Sequence, residues 1–372
     1  MCSSDLWKRR KGRHLSAWEL KTGLSTTPTA QLTADRESDG TALVRQEVSA
    51  LRAFATTGTH YAYQLGENGR WGQVGLHLNV YASYQRFASE QTNLLTAPRN
   101  DNWALGAELQ GIPHYSVGGR GFHLEVRLPV RYLLHDFHNR YLHTEFLLNR
   151  PYFVPSVTLL KRWSSLFVTG TTAYHVGVGR FQDFLVAPLY QTYRQQIWPG
   201  SGALSRSRTW QSELQLMWRD TYRGRSVNWT ATYNRTKAGQ LQASTIGPQG
   251  GTTSQEVLHD NTQSSWMTTA RATLYSRLIH THFALSLRYN GSQRSMLRQQ
   301  SLLTTRTHHV YTAFSTDCNW WRQLLQVRAQ VAWERSFLHF SETRSALNRW
   351  SGSVYAAFTP GEHWEIGRAS CR

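Results

Sequence analysis

Nowhere among its 372 residues does the chain hold about 18 consecutive apolar residues, the length a helix needs to cross a bilayer, so transmembrane helices are excluded. Helical periodicity is scarce too: the best segment, SAWELKT at Ser16–Thr22, is too short to hold a helix by itself. Lysine is confined to Lys8, Lys11, Lys21, Lys161 and Lys237. Because Asp plus Glu total 23 against 41 Lys plus Arg, the net charge of +18 rests almost wholly on arginine. A surplus of this size attracts phosphate groups. The arginines are scattered, not gathered on one helix or in a nucleic-acid motif, so no nucleic-acid partner is expected.

Cysteine occurs only at Cys2, Cys318 and Cys371. The ends, MCSSDL at Met1–Leu6 and IGRASCR at Ile366–Arg372, read as translated sequencing-adapter DNA. Residues 1–6 and 366–372 are therefore expected to be foreign, and 7–365 to be one partial domain. With Cys2 and Cys371 set aside, Cys318 stands alone, which excludes a disulfide framework and a cysteine metal site. Phosphate loops are missing as well, since GRG at Gly119–Gly121 and GVGR at Gly177–Arg180 open no helix. No G-x-S-x-G element occurs and carboxylates are sparse, so no catalytic residues are assigned and no enzyme is expected.

What the chain does have is alternation with period 2. In QVGLHLNVYASY, Val74, Leu76, Leu78, Val80, Ala82 and Tyr84 fall on one side of a strand, and Gln73, Gly75, His77, Asn79, Tyr81 and Ser83 on the other. FHLEVRLPVRYL places Phe122, Leu124, Val126, Leu128, Val130 and Tyr132 opposite His123, Glu125, Arg127 and Arg131. The pattern recurs in WQSELQLMW, with Trp210, Leu214, Leu216 and Trp218 opposite Glu213, and in VNWTATYN, with Val227, Trp229, Ala231 and Tyr233 on the apolar side. IHTHFALSLRYN sets Ile279, Phe283, Leu285, Leu287 and Tyr289 against His280, His282, Ser286 and Arg288, and LQVRAQVAWE sets Val327, Val331 and Trp333 against Arg328 and Glu334. Weaker segments lie near 42–54, 105–111, 157–163, 166–178, 266–276, 306–316 and 350–358. The total is roughly a dozen or slightly more antiparallel strands. Pro129 predicts a bulge, because proline donates no ladder hydrogen bond.

None of these strong apolar faces carries a charge. A soluble core and a bilayer both demand that, so the aromatic rings are more informative. Trp210 and Trp218 bracket one stripe at a spacing that projects to roughly 20 Å along a tilted strand, close to the apolar band of roughly 25 Å in membrane barrels. Short connections (218–227, 276–279, 316–324) alternate with long polar ones (237–264, 291–305, 335–349), as in a barrel with tight periplasmic turns and long outer loops. The fold class expected is therefore all-β, an incomplete antiparallel transmembrane β-barrel of the bacterial outer membrane. Outer-membrane lipid and lipopolysaccharide are the expected partners of its arginines. A soluble or surface-attached all-β binding module, for example carbohydrate-binding, and a simple porin stand as alternatives.

The order LTAPRNDNWALGAEL, FHLEVRLPVRYLLHDFHNRYLH, LLNRPYFVPSVTLLKRW, then GRFQDFL and YQTYRQQ, followed by the meander from Trp210, resembles the barrel of TonB-dependent outer-membrane receptors, in the branch that carries a carboxypeptidase-like β-sandwich and a plug before the barrel. The resemblance implies a 22-stranded barrel, a plug domain and TonB as partners, and uptake of a large nutrient or other ligand. It implies no cofactor and offers no fixed catalytic residues.

On this reading Leu76, Leu78, Leu124, Val126, Leu216, Trp229, Leu285 and Val331 face lipid. His77, Glu125, Arg127, Glu213, Arg288, Arg328 and Glu334 face the lumen, where they are candidates for ligand or plug contact. His135, Asp136, His138 and His143 are close in sequence, as are His280 with His282 and His308 with His309. Their spacing matches no recognised metal site, and a solvated loop and polar lumen account for them, so no metal is expected.

Overall fold

A chain whose apolar residues alternate buries no backbone by coiling, so its N–H and C=O groups must pair laterally. The computed structural model describes residues 2–11, 14–35, 42–66, 70–91, 99–139, 144–179, 185, 187–192, 195–198, 205–246, 252–299, 301–320, 325–340 and 343–358; residues 366–372 lie outside these. Among the described residues, nineteen strand segments form one sheet. β1 (Cys2–Lys11), β2 (His14–Asp35), β3 (Ala42–Gln64), β4 (Gln73–Gln91) and β5 (Arg99–Gly119) are an antiparallel meander. The weak helical candidate Ser16–Thr22 lies inside β2.

β6 (Phe122–Arg127) and β7 (Val130–Asn139) both pair with β5, and β8 (Thr144–Phe153) and β9 (Ser156–Trp163) continue the order through β7 and β6. Each pair is one long strand cut in two, at Leu128–Pro129 and at Val154–Pro155. The bulge predicted at Pro129 is thus a break, bridged by carbonyls that prolines still offer. The Leu128 N–H donates to the Pro113 carbonyl at 2.9 Å, that of Val154 to Pro129 at 3.0 Å, and that of Tyr174 to Pro155 at 2.9 Å. Three neighbouring strands therefore carry proline without losing lateral connection.

β10 (Leu166–Val178) pairs with β9 and with β13 (Arg206–Asp220); between them in sequence runs an excursion bearing the short hairpin of β11 (Leu189–Thr192) and β12 (Gln195–Ile197). β14 (Arg225–Ile246), β15 (Thr252–Ser276), β16 (Thr281–Arg298), β17 (Ser301–Trp320), β18 (Leu325–Phe340) and β19 (Thr343–Phe358) complete the meander. Among the described residues no pairing joins β19 to β1.

Ile279 and His280 belong to the turn before β16, with His280 at φ 48°, and not to the strand as predicted. The larger departure concerns the long polar connections. Lys237–Ile246 pairs with Thr252–Thr262, and Gly291–Arg298 with Ser301–His308, so these stretches are hairpin extensions. Polar residues hide strand periodicity because both faces of such an extension are wet. Backbone amides over Gln240–Ile246 and Thr252–Leu258 should therefore exchange with deuterium at least about tenfold more slowly than unstructured peptide; exchange at the unstructured rate would return them to irregular loops.

Candidate functional site

Register propagates one face across all strands. Leu76 and Leu78 of β4 stand opposite Pro113 and Gly111 of β5, and from there Leu124 and Val126, Leu216 and Trp229, Leu285, and Val331 follow on the same side. No second layer of the described residues covers that side: Val74, Leu78 and Val80 are 44%, 42% and 46% exposed, and Val331 54%. The few buried apolar residues are mostly small, such as Ala62, Ala238, Ala313 and Ala332. A soluble sheet of this width would leave a far larger apolar patch in water than monomers tolerate.

The same face carries a row of rings. Trp210, Tyr233, Trp266, Tyr289, Trp333 and Trp350 occupy β13, β14, β15, β16, β18 and β19 on this side. They sit roughly nine residues along each strand from the short-turn end, which at about 3.3 Å per residue and a tilt near 40° projects to roughly 23 Å. Trp163 and Trp218 mark the short-turn end.

The opposite face is polar, and all seven candidates, His77, Glu125, Arg127, Glu213, Arg288, Arg328 and Glu334, project there. It brings only some of them together. Arg127 Nε donates to Glu125 at 2.7 Å. Glu213 lines an open depression with Glu125, Arg127 and His175. Arg328 pairs with Asp317 at 2.9 Å and Glu334 with His309 at 2.7 Å, while the Arg288 guanidinium lies 6.0 Å over the Tyr311 ring. Glu125, Arg127 and Arg328 are thus balanced by opposite charge within the wall. A two-pronged pair lies outside those candidates: Arg131 donates to Glu108 through Nε at 2.6 Å and a terminal nitrogen at 2.8 Å.

Ala187, in the excursion between β10 and β13, docks on this polar face, away from the short turns. Asn100 of β5, 1% exposed, accepts from the Ala187 N–H at 2.9 Å and donates to the Ala187 carbonyl at 3.1 Å and to Ser89 at 2.8 Å. One buried amide thereby ties a segment of that excursion onto the wall.

The sequence-adjacent histidines disperse. His135 points to the polar face and His138 to the other, where it stacks on Trp103 at 4.0 Å and contacts Asp136 at 2.9 Å and Glu145 at 3.2 Å; His143 lies outside the described residues. The segment is strand β7, not the expected loop. His282 packs against Tyr275, and His308 hydrogen-bonds the Tyr289 hydroxyl at 2.7 Å. A cluster does form elsewhere on the polar face. His77 joins His60 of β3 and His114 of β5, with ring centroids 3.8 Å apart for His60–His77, 4.8 Å for His77–His114 and 5.3 Å for His60–His114.

No family model matches the chain, and no curated protein is significantly similar to it. Solved structures similar to it include OmpT, an outer membrane protein of Vibrio cholerae, at 7% identity, covering 94% of this chain and 98% of that one with a TM-score of 0.30. CdiB from Escherichia coli is 11% identical over 95% of this chain and 62% of its own, with a TM-score of 0.32. The beta domain of the Bordetella autotransporter BrkA is 10% identical over 92% and 96%, with a TM-score of 0.19. Likenesses this distant carry no inference about activity.

The Arg131–Glu108 pair sits with side chains 30% and 17% exposed. A double-mutant cycle with Arg131→Met and Glu108→Gln, read by urea unfolding of detergent-refolded protein, should return a coupling of about 1–2 kcal/mol. A coupling near zero would mean that the pair is screened as an ordinary surface ion pair.

Proposed function

We propose that this chain forms the wall of a bacterial outer-membrane β-barrel and that a polar ligand passes along its polar face. The observation that carries the reading is the uncovered apolar face bounded by a row of Trp and Tyr rings. Lipid is the medium in which such a face is stable and in which rings with one polar tip settle at the boundary. Leu76, Leu78, Leu124, Val126, Leu216, Trp229, Leu285 and Val331 then contact acyl chains. His77, Glu125, Arg127, Glu213, Arg288, Arg328 and Glu334 line the lumen, where they meet ligand or plug. The short turns face the periplasm and the extended hairpins the outside, where arginine meets lipopolysaccharide phosphates.

In its finer form the proposal is a TonB-dependent receptor, a closed barrel of 22 strands whose plug and TonB contact are supplied elsewhere in the whole protein. The order of sequence segments from Leu95 through the meander from Trp210, which resembles that family, favours it. A simple porin is the second reading, favoured by the continuous polar lining. Conductance of the whole protein in planar bilayers separates them: a plugged receptor stays nearly closed, whereas a porin shows a steady open current.

The membrane reading has its own test in β4. Leu76→Arg and His77→Arg put the same charge on adjacent residues of opposite faces. Near the bilayer midplane the first should cost roughly 2–4 kcal/mol and reduce heat-modifiable, protease-resistant protein in the membrane fraction, while the second is tolerated. Leu76→Trp should be accepted by lipid with little loss, whereas a close-packed protein core would be overpacked by about 1–3 kcal/mol. A Trp variant as poorly assembled as the Arg variant would show that the face meets protein.

A further inference from the structure

We infer that His60, His77 and His114 form a three-imidazole site for a divalent transition cation of the zinc and copper class, on the polar face close to the turn between β3 and β4. The inference deepens the proposed function by naming a class of ligand. The cluster stands on the register of three strands, so it exists whether or not the other face meets lipid.

Each histidine is delivered by a different strand. His60 of β3 stands directly opposite His77 of β4, and His114 of β5 stands opposite Gly75, two residues from His77 on the same face. The glycine is required: a Cβ at position 75 would collide with the His114 ring and press on the Tyr61 carbonyl. Gly75 thus leaves a cradle over which the His114 imidazole leans toward its two partners. An aromatic ring covering a cross-strand glycine also recurs at Trp266 over Gly291.

Distances and hydrogen bonding both point to an ion. One ligand nitrogen from each ring lies within 4.8 Å of the others. Two imidazole nitrogens bound to one zinc at about 2.0–2.1 Å stand about 3.4 Å apart in tetrahedral geometry, so rotation of the rings by a fraction of a turn closes the set. His60 and His77 now stack nearly parallel, at 13°, and binding turns their lone pairs toward a common centre. Two ring nitrogens of the cluster, His60 Nε2 and His114 Nδ1, are buried without a hydrogen-bond partner. Buried polar atoms in folded proteins are nearly always satisfied, and an orphaned one calls for a missing water or ion. Three nitrogens arranged this way have the chemistry of a metal ligand set.

Identity follows from donor type. Three neutral imidazoles suit zinc, copper and nickel and do not suit calcium or magnesium, which take oxygen ligands. Arg127 stands across from His114 and would repel a cation, but its guanidinium is held by Glu125 at 2.7 Å. With three protein ligands the ion keeps a coordination position for water or for a donor atom of a passing ligand.

Isothermal titration of the 372-residue chain, purified in detergent, with Zn²⁺ and Cu²⁺ tests the site. One ion per chain is expected. His77→Ala or His114→Ala should weaken binding by at least about 100-fold, Gly75→Ala should weaken it by displacing the ring, and Ca²⁺ should not bind. His77→Gln retains side-chain volume should an alanine variant fail to fold. Zn²⁺ should also slow diethyl pyrocarbonate modification of these three histidines in the unaltered chain. Binding unchanged in the His77→Gln and His114→Ala variants, or no protection by Zn²⁺, overturns the inference. Either result leaves the outcome of the Leu76 substitutions untouched, so the site and the barrel fail separately.

Discussion

The cross-strand hydrogen-bond ladder is the constraint on which everything else in this molecule depends. The sheet is one layer thick, so its backbone groups find partners only in neighbouring strands, and register then assigns every side chain to one of two faces. A slip of one residue between β4 and β5 would turn β4 over relative to β5, sending His77 into the apolar band and Leu76 onto the polar wall. In lipid an unpaired backbone group costs several kcal/mol, which is why the breaks at Pro129 and Pro155 matter. At both, the ladder survives through proline carbonyls that accept from Val154 and Tyr174.

The two faces solve different problems with the same strands. The apolar side needs no tight packing, because on the proposed reading its partner is fluid, and Leu76, Val74, Leu109 and Val331 stay 38%, 44%, 54% and 54% exposed. The polar side needs internal balance, because its charges crowd a confined wall. It achieves this through local pairs such as Arg131 with Glu108 and Arg328 with Asp317. Aromatic rings bridge the two regimes at the edge of the apolar band. The buried Asn100 shows how polar groups hold irregular chain on the wall without a hydrophobic core.

Face assignment was legible in the sequence because alternation is a local property. Parity within QVGLHLNVYASY or LQVRAQVAWE needs only a few residues, and both segments are strands whose residues alternate between two faces, whereas Ile279 and His280 of IHTHFALSLRYN fall in a turn. Strand length was not legible. β3 runs on to Gln64 and β5 to Gly119, beyond the predicted ends near Phe54 and Gly111, because TTGTHYAYQ and IPHYSVGG lack clean alternation and the second contains Pro113. His60 and His114 lie in those unread extensions. Their meeting with His77 is set by the register of two hairpins, which no single window contains. One signal was present: His60 and His77 each lie five residues from the glycine-rich segment LGENGRWG at 65–72, so pairing the flanking strands across it brings the two rings together.

The central claim, that the two faces of the sheet meet different solvents, is tested most directly by a nitroxide scan of residues 73–84 in lipid bilayers, after Cys2, Cys318 and Cys371 are each replaced by serine. Collisional relaxation by oxygen, which partitions into lipid, should peak at positions 74, 76, 78, 80 and 82. Relaxation by a charged chromium complex confined to water should peak at 73, 75, 77, 79 and 81. Even-numbered positions shielded from both reagents would mean that the apolar face is covered by protein, and would contradict the account.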